Sequence, residues 1–220
     1  MSIQDQTEKT VFASRLQAGE LLAEKIAQER AKLADPIVLG IPRGGVPVGS
    51  AVSQKLGCPL DVIVLRKLPI PQNPEAGFGA VTLDRTVVLN EDLLSQLFLT
   101  KEEISSVVDE VYAEVRRRDE VFRKGKLFPS LTGRSVIITD DGLATGYTML
   151  AAIDFCRRKL PTDVIAAVPV CHEAAYEMVK KRADQVFTLQ ISRSPVFAVA
   201  SFYEQFPEMT DQEVVAYLSV

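Results

Sequence analysis

The sequence contains no tryptophan, three cysteines and one histidine. Cys58, Cys156 and Cys171 are widely spaced and form no C-x-x-C pair, so neither a disulfide framework nor a zinc site is predicted. His172 stands alone, which excludes a metal site built from several histidines, and no G-x-S-x-G motif accompanies it. These scarcities exclude disulfide-rich domains and zinc proteins, and they argue against a serine hydrolase.

Long apolar runs and an excess of basic residues are also absent. No apolar stretch approaches the roughly 20 residues that span a bilayer, and the polar start MSIQDQTEKT has no apolar signal region. The formal net charge of −4 provides no positive field for nucleic-acid phosphates. We therefore expect a cytoplasmic protein without a membrane or nucleic-acid partner.

Short apolar runs alternate with helical periodicities along most of the chain. Strands are predicted at residues 37–41, 60–65, 135–139, 164–168 and 185–189, and helices at 11–33, 45–56, 145–159 and 173–181. Strands that alternate with helices in this way pair in parallel. The pattern predicts an α/β fold with a parallel sheet flanked by helices.

The composition is consistent with a single domain over residues 1–220, to which a hood or flap subdomain is added. We expect the core at about 35–66 and 134–190, the flap and a helical insert at about 67–133, and a C-terminal tail at about 191–220. The tail is aromatic and lies outside the alternation of strands and helices.

The expected flap begins with KLPIPQNPEAGFG, residues 67–79, which has three prolines and no apolar period. Such a segment is an ordered excursion or a mobile flap rather than core. Residues 78–90 then predict a hairpin. Thr100 and Glu103 form a capping box that starts a long helix, which ends at about residue 124.

The segment VIITDDGLATGYTM, residues 136–149, is the most informative part of the sequence. A buried strand leads directly into two acids, Asp140 and Asp141, and then into a turn rich in glycine and threonine that begins a helix. Adjacent carboxylates accept hydrogen bonds from vicinal hydroxyls or approach a hard cation such as Mg²⁺. The amides of a helix start bind a phosphate. The pattern predicts a site for a sugar phosphate.

Two other phosphate motifs fail by spacing. A Walker A loop requires lysine and then serine or threonine after its last glycine, but Val46 and Pro47 follow Gly45. The glycines near residue 45 do not form G-x-G-x-x-G, and residues 77–79 lack the third glycine of that dinucleotide fingerprint.

The segment 136–149 resembles the 5-phosphoribosyl-1-pyrophosphate (PRPP) motif of the type I phosphoribosyltransferases. The resemblance implies that Asp140 and Asp141 hold the ribose 2′- and 3′-hydroxyls and contact Mg²⁺ indirectly, through those hydroxyls or water. The loop after them would wrap the 5′-phosphate. That loop comprises Gly142, Leu143, Ala144, Thr145, Gly146, Tyr147 and Thr148.

A second loop, GIPRGG at residues 40–45, follows the first core strand, so it is expected on the same sheet edge as the acids. Gly44 and Gly45 leave amides available for an anion, and Arg43 adds a charged fork. The alternative is a plain tight turn with an exposed arginine. In the family this position is the pyrophosphate loop, and the resemblance implies a non-proline cis bond at Pro42-Arg43 or Arg43-Gly44.

Arg66 and Lys67 end the second predicted strand, and in relatives a basic pair here contacts pyrophosphate or begins the catalytic flap. The alternative is a solvated pair of charges. Glu75, in the flap, is a candidate metal or substrate contact or a loop carboxylate without a role.

The resemblance implies a glycosyltransferase, more narrowly a pentosyltransferase of nucleotide metabolism. It would transfer ribose 5-phosphate from PRPP to a nucleobase or other nitrogen nucleophile and release pyrophosphate, with Mg²⁺ as cofactor. Arg43, Arg66, Lys67, Asp140 and Asp141 would carry the catalysis.

One departure restricts the acceptor. Hypoxanthine-guanine enzymes carry an aspartate in the phosphate loop where this chain has Ala144, which argues against a 6-oxopurine. The aromatic residues of the tail, Phe197, Phe202 and Tyr203, either stack on a planar acceptor or pack against the sheet. The alternative function is a non-catalytic regulator that binds PRPP, and either form allows a homo-oligomer.

Overall fold

In this computed structural model, residues 11–29, 32–70 and 73–219 are described, the side chains of 73–76 excepted. The first half of the described chain contains α1 (Arg15–Gln28), β1 (Ile37–Gly40), α2 (Gly45–Leu56), β2 (Leu60–Val62), β3 (Leu65–Ile70), β4 (Asn73–Thr82), β5 (Val87–Leu89), α3 (Glu91–Leu97) and α4 (Lys101–Arg123). The second half contains β6 (Ser135–Thr139), α5 (Tyr147–Arg157), β7 (Asp163–His172), α6 (Glu173–Lys180), β8 (Gln185–Ser192), a 3₁₀ turn (Val199–Phe202) and α7 (Asp211–Tyr217).

Five strands form a parallel main sheet in the order β2-β1-β6-β7-β8. The α/β prediction is confirmed, and the alternation of apolar strands with helices explains it: parallel strands need crossovers, which helices supply. β1 and β6 lie side by side at the centre of the sheet. Their carboxyl ends therefore open onto one edge, where ligands bind in open sheets of this type.

Helices cover both faces of the main sheet. In β6, Val136 and Ile138 pack in one cluster with Met149 of α5, whereas Ile137 packs on the opposite face with Leu22 of α1. Successive strand residues point to opposite faces, so a strand buried on both sides is continuously apolar. Each fully buried aliphatic side chain contributes about 1.5–3 kcal/mol, which fixes the strand that carries the acids.

A second sheet lies in the segment predicted as the flap and hood, and we call it and α4 the hood. Strands β3, β4 and β5 are antiparallel in that order, and α4 packs against β3 and β4. Its core includes Leu68, Phe78, Val81 and Val111. The hairpin predicted at residues 78–90 is confirmed by β4 and β5, and the capping box of Thr100 at the start of α4 is present.

The predicted strand at residues 60–65 is wrong in one respect. The chain divides there: β2 ends at Val62 in the main sheet, and β3 begins at Leu65 in the hood. Both sheets bury their residues here, so the apolar run is continuous and gives no sign of the division. As a consequence Arg66 and Lys67 lie in a hood strand and not at the end of a main-sheet strand, as the sequence had predicted.

The described part of residues 67–79 belongs to β3 and β4, so it is an excursion from the main sheet, and its role as a mobile flap stays a prediction. Pro69 lies at an irregularity in the pairing of these strands, where its missing N–H is tolerated. Across the described ranges, no helix has the length and apolarity needed to cross a bilayer.

Candidate functional site

Two loops meet at the carboxyl edge of the main sheet. One follows β1 and contains the paired glycines, and the other follows β6 and contains Asp140 and Asp141. Gly40 and Thr139 end these strands and are partners in a parallel ladder, so the loops leave the sheet side by side. The structure therefore brings the two predicted segments together.

The paired glycines allow the loops to touch. A Cβ on Gly44 would lie 1.9 Å from Oδ2 of Asp141, and a Cβ on Gly45 would lie 2.3 Å from the carbonyl oxygen of Thr139. The Thr139 hydroxyl donates a hydrogen bond of 2.9 Å to the carbonyl of Gly45. A side chain at Gly45 would displace the backbone that carries the acids, and one at Gly44 would displace the Asp141 carboxylate.

The peptide bond between Pro42 and Arg43 is cis, which is one of the two positions that the resemblance implied. The guanidinium of Arg43 contacts two carboxylates of the C-terminal segment. It donates to Glu208, and its Nη1 lies 3.7 Å from Oδ1 of Asp211. Arg43 thus holds anionic oxygens one residue away from the glycine that touches the acid pair.

Asp140 and Asp141 are half-buried and have different partners. The amide of Asp141 donates 2.9 Å to Oδ1 of Asp140. Oδ2 of Asp141 accepts a hydrogen bond of 2.8 Å from Nε of Arg15, the first residue of α1. The hydroxyl of Tyr203 donates 2.6 Å to the main-chain carbonyl of Asp141. The second acid is therefore held by groups from both ends of the chain.

The pKa values of both carboxyl groups are raised. Burial raises the pKa of Asp140 well above its usual value, and the charge of Asp141 raises it further. Burial also raises the pKa of Asp141, while the hydrogen bond and charge of Arg15 oppose the increase. The pair therefore carries its negative charge more readily on Asp141, and a ligand that donates hydroxyl groups would relieve the cost of burying it.

The loop after the acids runs to the start of α5. Gly146 has φ 83°, a conformation that favours glycine, so the helix begins at Tyr147 and not at residue 145 as predicted. Leu143 is buried and its backbone joins β7: its N–H donates to Val170 and its carbonyl accepts from His172. The loop is thereby anchored to the sheet at one residue. Ala144 and Thr145 are exposed, and Tyr147 and Thr148 are half-exposed.

The tail packs directly on this loop. A Cβ on Gly142 would lie 2.7 Å from the side chain of Val199, in the 3₁₀ turn. Phe202 and Tyr203 are buried, and Phe202 lies in one cluster with Phe12. These two aromatic residues pack within the protein, which is one of the two alternatives that the sequence left open.

The basic pair of the hood lies beside α4. Arg66 Nη1 is 3.2 Å from Oε1 of Glu114, and Arg117 and Arg118 bind the same carboxylate. Arg117 and, to a smaller degree, Arg118 lower the pKa of Glu114 to about 2. Arg66 and Lys67 line an open cavity of about 560 Å³.

A chain of alternating charges connects this cavity to the loop after β1. Asp211 of α7 lies 3.7 Å from Nη1 of Arg43 and 3.6 Å from Nη2 of Arg117. Arg117 also binds the Glu114 carboxylate, which in turn contacts Arg66. Cations from three elements, β3, α4 and the loop after β1, are thereby linked in one network.

Several residues of this arrangement were missed by sequence reasoning. Arg15 is one polar position in an amphipathic helix, and Glu208 and Asp211 are acids in a tail without a motif. Each contacts a group more than 120 residues away, and no local pattern reports such a contact.

Two further residues were named in the sequence, His172 and Glu75. His172 caps α6, because its Nδ1 accepts from the amide of Ala174 at 3.3 Å, and its ring meets Phe197 edge-on at 5.8 Å. Glu75 lies outside the described side chains.

A metal ion would find few protein ligands at this site. Within the described part of the chain, no group of three or more histidine, cysteine, aspartate or glutamate side chains is arranged to hold one. Asp140 and Asp141 supply carboxylate oxygens, which suit Mg²⁺, but one of these oxygens is already bound by Arg15. Asp140 and Asp141 would therefore hold a Mg²⁺ ion only together with oxygen ligands from outside the protein.

Comparisons with known proteins found similar sequences and structures. A family model described as "Phosphoribosyl transferase domain" matches residues 10–205. The chain is 40% identical over 208 residues to "Putative phosphoribosyl transferase MT0597" of Mycobacterium tuberculosis strain CDC 1551 / Oshkosh, and equally to "Putative phosphoribosyl transferase Rv0571c" of strain H37Rv. The match covers 94% of this chain and 46% of each relative, so the chain spans about half the length of these proteins.

Solved structures show the same fold. The crystal structure of TT1426 from Thermus thermophilus has a TM-score of 0.78 and 37% identity, and the match covers 95% of this chain and 98% of that one. The structure of the AQ2163 protein from Aquifex aeolicus has a TM-score of 0.51 and 12% identity, and the match covers 80% of this chain and 74% of that one. At that identity the second structure shows a shared fold alone.

Proposed function

The chain belongs to the phosphoribosyl transferase domain family, and on that premise we propose that it transfers ribose 5-phosphate from PRPP to a nitrogen nucleophile and releases pyrophosphate. One observation carries the proposal. The acid pair at the end of β6 lies against the glycine-rich loop at the end of β1, so groups for a pentose and for phosphates are adjacent.

We assign the ribose to Asp140 and Asp141. Vicinal hydroxyls donate to carboxylates, and charge-assisted hydrogen bonds of this kind are about twice as strong as neutral ones. Mg²⁺ would supply neutralisation of the diphosphate when bound, and the acids would meet it only through ribose hydroxyls or water. The bond from Arg15 to one oxygen of Asp141 supports this indirect role, because it occupies a position that a metal would need.

We assign the 5′-phosphate to the loop 142–148 and the start of α5. The first amides of a helix lack intrahelical partners, and the helix dipole favours an anion there. The exposed Thr145 and the half-exposed Thr148 offer hydroxyl donors on the same turn.

We assign the leaving pyrophosphate to Gly44, Gly45 and Arg43, with Arg66 and Lys67 from the hood. The two carboxylates bound to Arg43 support this role, because they demonstrate that anionic oxygens fit against its guanidinium. Charge that develops on the leaving group would be stabilised by these fixed cations, which is the largest contribution that a protein makes to such a reaction. The hairpin of β3 and β4 would exclude water, so that PRPP is not hydrolysed.

A second candidate is a regulator that binds PRPP without reaction. Two observations favour this alternative: Ala144 cannot act as a general base, and Arg43 is bound by carboxylates of the tail. It predicts PRPP binding without pyrophosphate release. The remaining expectations, a cytoplasmic location and a place in nucleotide metabolism, form part of the proposal.

The test combines calorimetry of PRPP binding in the presence of Mg²⁺ with an assay of pyrophosphate release over a panel of nucleobases and amines. We expect micromolar binding to the wild type and no measurable binding to the variant with both Asp140→Asn and Asp141→Asn. The fold should survive, because asparagine has the same shape as aspartate and both acids lie after the end of a strand, outside the sheet ladder.

Asp163→Asn is the matched control, because Asp163 begins β7 at the opposite edge of the same sheet. Unchanged PRPP affinity in the double variant would contradict the proposal. Tight binding without turnover on any acceptor would favour the regulator.

A further inference from the structure

The ribose site includes a residue that lies outside both loops. Arg15 begins α1, and its Nε lies 2.8 Å from Oδ2 of Asp141, although 126 positions separate the two residues. Only 11% of the Arg15 side chain and 16% of the Asp141 side chain are exposed. An ion pair shielded to this degree is screened much less than one at the surface, and a carboxylate that lost its partner there would be strongly destabilised.

The guanidinium is itself held on two further sides. Its Nη1 donates 2.8 Å to the carbonyl of Pro207, and its carbon lies 3.6 Å from the centre of the Phe206 ring. Ser14 caps the helix that carries it, by accepting from the amide of Gln17. An arginine presents its donors in a planar fork, so fixing one face and one nitrogen also fixes the direction of Nε.

The tail that holds the arginine also holds the acid. The hydroxyl of Tyr203 donates 2.6 Å to the carbonyl of Asp141, and the backbone of Phe12, just before α1, bonds to Phe202 and Glu204. Gly44 lies beside the same oxygen, since a Cβ on Gly44 would lie 1.9 Å from Oδ2. Oδ2 is therefore held between Arg15 and the glycine loop, and the tail holds the backbone carbonyl of Asp141.

We propose that Arg15 is a positioning residue of the ribose site, which acts by orienting Asp141 so that its other oxygen, Oδ1, accepts a ribose hydroxyl. This rests on the proposed function. A carboxylate has about four lone-pair positions, so a bond to Oδ2 leaves acceptor capacity on Oδ1. A group held in its bound orientation before the ligand arrives loses less entropy on binding, and partners of this kind commonly change affinity by about 10-fold or more.

The experiment measures binding of PRPP and of inorganic pyrophosphate, each with Mg²⁺, to the wild type, Arg15→Met and Arg15→Lys. Arg15→Met should weaken PRPP binding by roughly 10- to 100-fold, the effect expected for loss of a charged hydrogen bond. Arg15→Lys keeps the charge and should recover part of the loss. Binding of pyrophosphate, which has no ribose, should stay within about twofold in both variants, on the assumption of independent sites.

Arg134→Met is the matched control. Arg134 also forms an ion pair through Nε, 2.9 Å from Asp35, and it is similarly buried, but it precedes β6 at the opposite edge of the sheet. It should bind PRPP as the wild type does. If Arg15→Met does not fold, Arg15→Lys and Tyr203→Phe carry the same comparison, because each removes one restraint on Asp141.

PRPP affinity that is unchanged in Arg15→Met would overturn the inference. So would an equal loss of PRPP and pyrophosphate binding, which indicates a general structural role for Arg15. A wild type that binds no PRPP would instead contradict the proposed function itself, so the two failures are distinguishable.

Discussion

Two neighbouring aspartates have different roles in the stability of the site. Asp141 forms an ion pair with Arg15. Asp140 accepts a hydrogen bond from the amide of Asp141, and burial together with the negative charge of Asp141 raises its pKa. The sequence indicated both acids and the glycines beside them, because these residues are consecutive. It gave no sign of the asymmetry, because the arginine that creates it lies 126 positions away.

Asp140→Asn should raise the stability of the protein at neutral and alkaline pH while it removes PRPP binding. The folded-state pKa of Asp140 is raised well above its usual value by burial and by Asp141. Its contribution to stability is therefore fully present below the unfolded pKa of about 3.9 and is lost as the pH rises through the folded pKa. Asparagine cannot ionise, so it avoids that loss.

Thermal unfolding of Asp140→Asn and the wild type at about pH 8 and about pH 4 measures this. Each kcal/mol should appear as roughly 2–4 °C in the melting temperature for a chain of this size. The gain should be present at the higher pH and small at the lower one. The same shift at both pH values would show that charge is not the cause.

At the scale of elements, the tail has the largest gap between prediction and structure. The sequence identified it as aromatic and outside the alternation of strands and helices. Packing decided the rest: the 3₁₀ turn covers Gly142, Tyr203 holds the second acid, and Glu208 and Asp211 bind Arg43. A segment without periodicity reports nothing about the surface it will meet.

Glu208→Gln should tighten PRPP binding. The Glu208 carboxylate contacts the guanidinium that we assign to the leaving pyrophosphate, so the two compete for it. Because the side chain of Glu208 is 85% exposed, the ion pair is a weak one, and we expect a gain of about two- to fivefold. Calorimetry with PRPP and Mg²⁺ measures it.

Glu204→Gln is the control, since it removes an exposed charge four positions earlier in the same tail. It should leave PRPP affinity unchanged. Weaker binding in Glu208→Gln would mean that this glutamate supports the site and does not compete for it.

At the scale of the whole molecule, two of the three cysteines are buried in the core between the main sheet and its helices. Cys156 lies in α5 and Cys171 in β7, and both belong to the core cluster. Burial raises the pKa of Cys156 to about 12 and that of Cys171 to about 11. The thiolate is the reactive form of cysteine, so both should be inert in the folded protein.

Thiol titration at about pH 8 should therefore detect at most Cys58, which is half-buried, until the protein is unfolded. In denaturant all three cysteines should react. Rapid labelling of Cys156 or Cys171 in the native protein, identified by mass spectrometry of the peptides, would show that the core around α5 and β7 opens more easily than its packing indicates.

The sequence by itself determined the order of strand, acids, glycine loop and helix, and with it the parallel sheet and the edge at which we propose that a ligand binds. These features follow from neighbouring residues and from the period of the apolar positions. Only the tertiary structure decided that β2 ends at Val62 and that Arg66 belongs to the hood, because both sheets bury the same kind of residue. Only the tertiary structure brought Arg15 to Asp141 and Asp211 to Arg43. An ion pair depends on distance in space, and no local pattern of residues reports that distance.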